Sequence, residues 1–168
     1  MLKFKTTGLL NSLLLVAGLL FFAACGVPVC ETTMPEKMAL DSVNDQDIAM
    51  DGYDVTAFFT KQKATKGSAQ FQSNYKGINY HFENESAKAL FDRNPEKYLP
   101  AFGGYCAVAA SFAKVEAAQI DLFDLYKGKL YFARNAKAEK MWMEDKDGVK
   151  SRAEGQWPCL VAKSGRNI

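Results

Sequence analysis

Alternation of apolar and polar residues in two short segments constrains the fold of this 168-residue chain more than any other feature. Residues 71–75 and 78–82 both alternate in this way, and only Lys76 and Gly77 separate them. Because neighbouring side chains of a strand point to opposite faces, the pattern predicts a β-hairpin with one apolar face. His81 is predicted to lie on the opposite, polar face.

Helix signals and a second pair of strands follow the hairpin. Asn84 and Asn135 are suitable caps for helix starts, Asn94 followed by Pro95 begins another short helix, and Pro158 is predicted to end the last helix. Further elements are predicted as a helix over 105–113 and as strands over 120–126 and 130–133. These elements predict a single α+β domain, in which a small, largely antiparallel β-sheet packs with several short helices.

The N-terminal segment has the layout of an export signal. Lys3 and Lys5 precede an apolar run over 13–22, which is shorter than the ~18 residues expected of a membrane-spanning helix. Two alanines then precede Cys25 directly, as in bacterial lipoprotein signals, so residues 1–24 are predicted to be removed and Cys25 to be acylated. An uncleaved anchor and plain secretion are the alternatives.

Localisation and charge follow from the same segment. Gly26 follows the cysteine where an aspartate would favour inner-membrane retention, so the resemblance to sorting signals implies the periplasmic face of the outer membrane. Residues 25–46 are predicted to form a tether, residues 47–160 the domain and residues 161–168 a tail. Removing residues 1–24 leaves basic and acidic residues equal in number, which gives no reason to expect nucleic-acid binding.

The most distinctive chemistry involves Cys106, which follows Gly103 and Gly104 at a predicted helix start. Unpaired amides and the helix dipole favour a thiolate there, and the glycines allow a ligand to approach the backbone closely. A buried apolar packing role, a metal or ligand contact, and a redox or nucleophilic role are all consistent with the sequence.

His81 is the only histidine of the chain. If its ring approached Cys106, imidazole and thiolate would suit a soft or borderline ion such as Cu(I) or Zn(II). A third ligand would have to come from solvent or from one of several side chains, and an ordinary exposed strand histidine is the alternative. The candidates for the third ligand are Asp54, Met141, Met143 and Cys159.

Six short motifs of this chain resemble those of the YHS domain family, and the resemblance covers roughly residues 47–160. They are Asp51-Gly52-Tyr53-Asp54, Tyr80-His81-Phe82, Asn94-Pro95-Glu96-Lys97-Tyr98, Gly103-Gly104-Tyr105-Cys106, Gly128-Lys129-Leu130-Tyr131-Phe132 and Gln156-Trp157-Pro158. Similar modules of metal-handling proteins carry a Cys-x-x-x-Cys pair where this chain has Glu83 and Ala87. Metal binding is therefore expected through His81 and Cys106 rather than through those cysteines.

Two further structural predictions concern a pocket and a disulfide. Aromatic residues beside glycines are predicted to line a pocket near His81, together with neighbours from the same motifs. With Cys25 acylated, an odd number of thiols remains, and a Cys30–Cys159 bridge would leave Cys106 free. The predicted pocket residues are Tyr53, Asp54, Tyr80, Phe102, Gly103, Gly104 and Tyr105.

These features predict a membrane-tethered periplasmic binding or accessory protein rather than an enzyme. Its predicted partners are the membrane, through the lipid anchor, and a soft metal ion (copper or zinc) or a small ligand near His81 and Cys106. One alternative is a thiol redox protein or sensor that uses Cys106. Another is a non-catalytic interaction module of the envelope.

Overall fold

The computed structural model describes residues 43–44 and 46–164. The predicted signal, residues 25–42 and 45 of the predicted tether, including Cys25 and Cys30, and the end of the predicted tail lie outside the described residues. In the described part, no helix is both long and apolar enough to cross a membrane.

The fold is α+β, as predicted, but its strands form two separate antiparallel hairpins rather than one sheet. The first pairs β1 (Ser68–Tyr75) with β2 (Ile78–Phe82), and the second pairs β3 (Phe123–Tyr126) with β4 (Lys129–Phe132). The predicted faces of the first hairpin are confirmed, since Tyr80 and Phe82 of β2 are buried. The second hairpin starts at Phe123, later than the sequence pattern indicated.

Within the described residues, six α-helices accompany the hairpins, and polar side chains cap several of them. The side chains of Asn84 and Asn135 accept hydrogen bonds from the backbone of Ala87 and Ala138, as expected of N-terminal caps. The helices are α1 (Val55–Thr60), α2 (Glu85–Arg93), α3 (Pro95–Tyr98), α4 (Ala107–Ser111), α5 (Ala136–Glu144) and α6 (Lys146–Ser164).

The prediction that Pro158 ends the last helix is wrong, because α6 continues through it to Ser164. Proline inside a helix removes one backbone hydrogen bond and costs about 3 kcal/mol. Packing on both sides of the proline offsets that cost, since Trp157 and the buried Val161 both contact Tyr105.

Two large apolar clusters form most of the core of the described residues, and β4 belongs to both. Leu130 and Phe132 point into the cluster formed with the first hairpin and α1 to α3. Tyr131, between them, points into the cluster formed with α4 to α6. Since alternate side chains of one strand are buried on opposite faces, β4 joins the two halves of the core.

A surface cluster at Glu96 of α3 provides a test by pH. Its carboxylate accepts hydrogen bonds from Lys76 (2.8 Å) and from the Tyr75 hydroxyl, and these contacts hold the pKa of Glu96 below its ordinary value. A lowered folded-state pKa contributes stability above the unfolded-state pKa, and that contribution is lost as the pH falls through the folded-state pKa.

We therefore expect Glu96→Gln to lower the free energy of unfolding at neutral pH by about 0.5 kcal/mol, a small effect because the pair is exposed and screened. The difference between the two proteins should shrink as the pH falls through the folded-state pKa of Glu96. Urea unfolding of both proteins at several pH values measures this difference in the free energy of unfolding. A difference that grows on acidification would contradict this assignment.

Candidate functional site

Two left-handed backbone turns face each other beside the first hairpin. Residues Met50–Gly52 form the first turn, with φ of 51° at Met50 and Asp51 and 76° at Gly52. Residues Ala101–Gly104 form the second, with φ of 53° at Phe102 and 82° at Gly104. Left-handed backbone at residues other than glycine costs about 1–3 kcal/mol each. Such residues also occur at other turns, such as Lys76 and Lys127, but these two turns meet at a cavity and are therefore a candidate site.

A cavity of about 240 Å³ lies where the two turns meet. Glycine is favoured at position 104 because its φ of 82° is strained for other residues, and a side-chain carbon there would also displace the Met50 Sδ. Tyr53 and Gly104, both predicted as pocket residues, line the cavity. The complete lining is Met50, Asp51, Tyr53, Gly104, Ala118, Ile120 and Phe132.

The rim of the cavity is held by Lys66. Its ammonium group donates a hydrogen bond to the backbone carbonyl of Asp51 and lies 4.4 Å from the centre of the Tyr53 ring. Backbone hydrogen bonds from Gly52 to Ala49 (2.9 Å) and from Gly67 to Gly52 (2.8 Å) fix the turn itself. The cavity is therefore built on a backbone that is fixed before any ligand enters.

His81 supports the first turn from behind. A side-chain carbon at Gly52 would lie 3.2 Å from the His81 Nδ1, so the ring packs closely against this turn. His81 is half-buried on the polar face of β2, as predicted, and it does not line the cavity. Its position makes it a neighbour of the candidate site rather than a part of its wall.

A family comparison matches the segment between these two turns. The sequence model of the YHS domain matches residues 55–102. This chain carries a YHS domain. The match contains Tyr80 and His81, begins just after the first turn and ends inside the second. No curated protein and no solved structure matches the chain.

Cys106 follows the matched YHS segment and caps α4. Its side chain is fully buried, and the Sγ accepts a hydrogen bond from the backbone of Ala109 at 3.5 Å. Its own backbone N–H donates to the carbonyl of Glu116 at 3.0 Å. The side chain packs in the apolar cluster of α4 to α6 and does not line the turn cavity.

The remaining predicted pocket residues do not line the cavity, and they pack in the core, form a turn or make buried hydrogen bonds. Tyr80 is buried in the first apolar cluster, while the rings of Phe102 and Tyr105 pack against Trp157. Gly103 is a buried member of the second turn. Asp54 is 1% exposed and accepts hydrogen bonds from the backbone of Thr56 and Glu83, so it links α1 to the end of β2.

The donor atoms of the described residues do not make a closed metal site. Within 43–44 and 46–164, no three His, Cys, Asp or Glu side chains group together in a way that could hold an ion. Cys159 is disulfide-bonded, and its predicted partner Cys30 lies outside the described residues. Met143 is exposed and Met141 lines a different groove. A metal or ligand contact at His81 and Cys106 therefore stays a prediction.

Sequence reasoning missed Met50, Asp51 and the distant residues of the cavity wall. The Asp51-Gly52 and Gly103-Gly104 pairs were the available signal, since Asp-Gly and Gly-Gly pairs permit left-handed turns. That these turns would face each other depends on contacts between distant segments, and no local pattern contains that information.

The burial of Cys106 gives a direct test of the thiol reading. We expect iodoacetamide to leave Cys106 unmodified in the folded protein at neutral pH and to modify it fully in urea, because the reagent needs an accessible thiolate. Peptide mass spectrometry after timed alkylation measures this. Alkylation in the folded protein as fast as that of a free thiol would instead favour the redox reading.

Proposed function

We propose that this chain is an exported, lipid-anchored binding protein that captures a compact ligand in the cavity between the two turns. The proposal assigns it an accessory role in the bacterial envelope and no catalysis. The supporting observation is the cavity itself, whose wall includes two of the predicted pocket residues, Tyr53 and Gly104.

The size of the cavity favours a compact ligand. Sites for drug-sized molecules usually measure about 300–1,000 Å³, and this cavity of about 240 Å³ is below that range. Phe132 and Met50 are buried and provide an apolar floor, while Asp51 is exposed at the rim. The ligand should therefore combine small size with a polar group that faces the rim.

The chemistry of the wall favours a cation. Asp51 supplies the negative charge among the lining residues, and Tyr53 and Phe132 supply aromatic rings. The Lys66 ammonium already lies against the Tyr53 ring at the rim, so the Asp51 carboxylate and the Phe132 ring are the groups left for a ligand. Aromatic faces attract quaternary ammonium groups, and the Met50 thioether is a soft ligand of the kind that Cu(I) prefers. We infer that the ligand is a compact cation, either a soft metal ion or a small organic ammonium ion.

Calorimetry on the full-length protein in lipid nanodiscs tests this, with Cu(I), Zn(II) and tetramethylammonium as probes and empty nanodiscs as the blank. One of these cations should bind at one site per chain, and Asp51→Asn should weaken binding about tenfold through loss of a charged partner. Asp147→Asn removes an exposed aspartate that does not line the cavity, so it should leave the affinity unchanged.

The outcomes separate the alternatives. Equal and negligible binding of all three cations by all three proteins would eliminate the cation-binding function and favour an interaction module. Binding that is unaffected by Asp51→Asn would place the cation elsewhere on the chain. Rapid alkylation of Cys106 in the folded protein would favour a thiol redox role.

The anchor is tested separately from the ligand. Cys25→Ser should move the protein from the membrane fraction to the soluble fraction of the envelope, because the acylated residue is lost. Mass spectrometry of the N-terminal peptide should find acyl chains on Cys25 of the unaltered protein. An unmodified Cys25 in membrane-bound protein would overturn the lipid anchor and favour an uncleaved N-terminal segment.

A further inference from the structure

A second cavity, of about 290 Å³, lies on the side of the molecule formed by α4, the segment that follows it and the start of α5. It shares no lining residue with the turn cavity. We refer to it as the α4–α5 groove. It is lined by Val108, Ala109, Phe112, Lys114, Glu116, Arg134, Asn135, Lys137, Ala138 and Met141.

The floor of the α4–α5 groove is apolar. Val108, Ala109 and Ala138 are buried beneath it, and the thioether side chain of Met141 adds a flexible apolar wall. Phe112 stands at the edge with 58% of its surface exposed, although a phenylalanine normally contributes to stability by burial. An apolar floor beneath an exposed aromatic ring fits the hydrophobic part of a ligand.

The edge of the groove is cationic. Lys114, Arg134 and Lys137 surround it, against a single carboxylate from Glu116. Arg134 pairs with Glu116, whereas neither lysine forms an ion pair with any residue described by the structure. The groove therefore carries two unneutralised positive charges above its apolar floor.

The segment that carries these groups is fixed by the backbone. Lys114 donates a backbone hydrogen bond to Ala109 (3.0 Å), and Glu116 accepts one from Cys106 (3.0 Å). The Arg134–Glu116 pair joins the same segment to the end of β4. Backbone hydrogen bonds and an ion pair within the protein thus hold the groove open. This lowers the entropy cost of ordering the groove when a ligand binds.

We propose that the α4–α5 groove binds a small amphipathic anion, namely a carboxylate with a compact aromatic or aliphatic body. Its body lies on the floor beside Phe112, and its carboxylate faces Lys114 and Lys137. The turn cavity is proposed to bind a cation and the α4–α5 groove an anion, and the two share no lining residue. Each proposal can therefore be tested without the other.

Calorimetry with phenylpropionate tests the groove, with the neutral phenylpropionamide as a ligand of equal size. The full-length protein in lipid nanodiscs is used, and empty nanodiscs give the blank. We expect phenylpropionate to bind at one site per chain and about tenfold more tightly than the amide, because a charge-assisted contact is lost in the amide.

Two exposed positions allow variants that should keep the fold, which circular dichroism verifies. Lys137→Gln should weaken phenylpropionate binding about tenfold and leave amide binding unchanged, since it removes charge alone. Phe112→Ser should weaken the binding of both ligands. The matched control is Lys63→Gln, an exposed lysine that does not line the groove, and it should change neither affinity.

Three results would overturn the proposal. The first is no binding of phenylpropionate, and the second is equal affinity for the acid and the amide. The third is an equal loss of affinity in Lys63→Gln and Lys137→Gln, which would indicate a nonspecific effect of net charge. A failure of cation binding at the turn cavity leaves all three measurements unaffected.

Discussion

Replacement of Asp54 by alanine is expected to lower the free energy of unfolding by about 3 kcal/mol. The carboxylate accepts hydrogen bonds from the backbone N–H of Thr56 (2.8 Å), the Thr56 hydroxyl (2.7 Å) and the backbone N–H of Glu83 (2.9 Å). It is 1% exposed, so water cannot replace it in the folded protein. Alanine would remove the cap of α1 and leave the Glu83 donor without its partner.

Two milder variants separate these contributions. Asp54→Ser keeps a capping oxygen for α1 but is too short to reach Glu83, so it should cost about 1–2 kcal/mol. Asp54→Asn should also destabilise the protein, because one of the two oxygens that accept these bonds is replaced by a donor. Urea unfolding followed by tryptophan fluorescence measures all three. An alanine variant as stable as the parent would refute the structural role of Asp54.

Phe58→Ala is expected to cost about 4 kcal/mol, the usual range for removing a fully buried aromatic side chain. Phe58 of α1 is 0% exposed, and its ring meets those of Phe123 and Phe132 edge to face at 4.8 and 5.3 Å. Through these contacts α1 is packed onto the second hairpin. Alanine would leave a cavity between α1 and β4 that the surrounding strands cannot fill.

Phe112→Ala is the matched control for this measurement, since it removes the same side chain from an exposed position. It should change the free energy of unfolding by no more than about 0.5 kcal/mol. Thermal or urea unfolding of both variants gives the comparison. Equal losses in the two variants would mean that burial does not determine the contribution of these rings.

The local elements of the fold could be predicted because their causes are local. Alternation over residues 71–82 was sufficient to place the first hairpin and the polar orientation of His81. The helix starts at Asn84 and Asn135 follow from side chains that reach amides only three residues away. The extension of α6 through Pro158 was missed because the packing that holds it involves Tyr105, a distant residue.

The arrangement of the site was less predictable than its elements. The glycines and the aromatic residues beside them suggested a pocket, and Tyr53 and Gly104 do line one cavity. Yet the local sequence around Cys106 predicted only a helix start. It did not indicate whether the sulfur would be exposed or buried. Its burial depends on the packing of α4 against α6 and β4, which are separated from it in sequence.

Because β4 contributes side chains to both apolar clusters, the folding unit must be larger than the stretch that defines the family. A fragment cut at residues 55 and 102 would lack Leu130 and Phe132, and it would expose Phe58 to water. The segment that matches the YHS domain, residues 55–102, is therefore shorter than the unit that we expect to fold cooperatively. The C-terminal helices pack on the same strand, β4, as the matched segment, so they are part of one shared hydrophobic core.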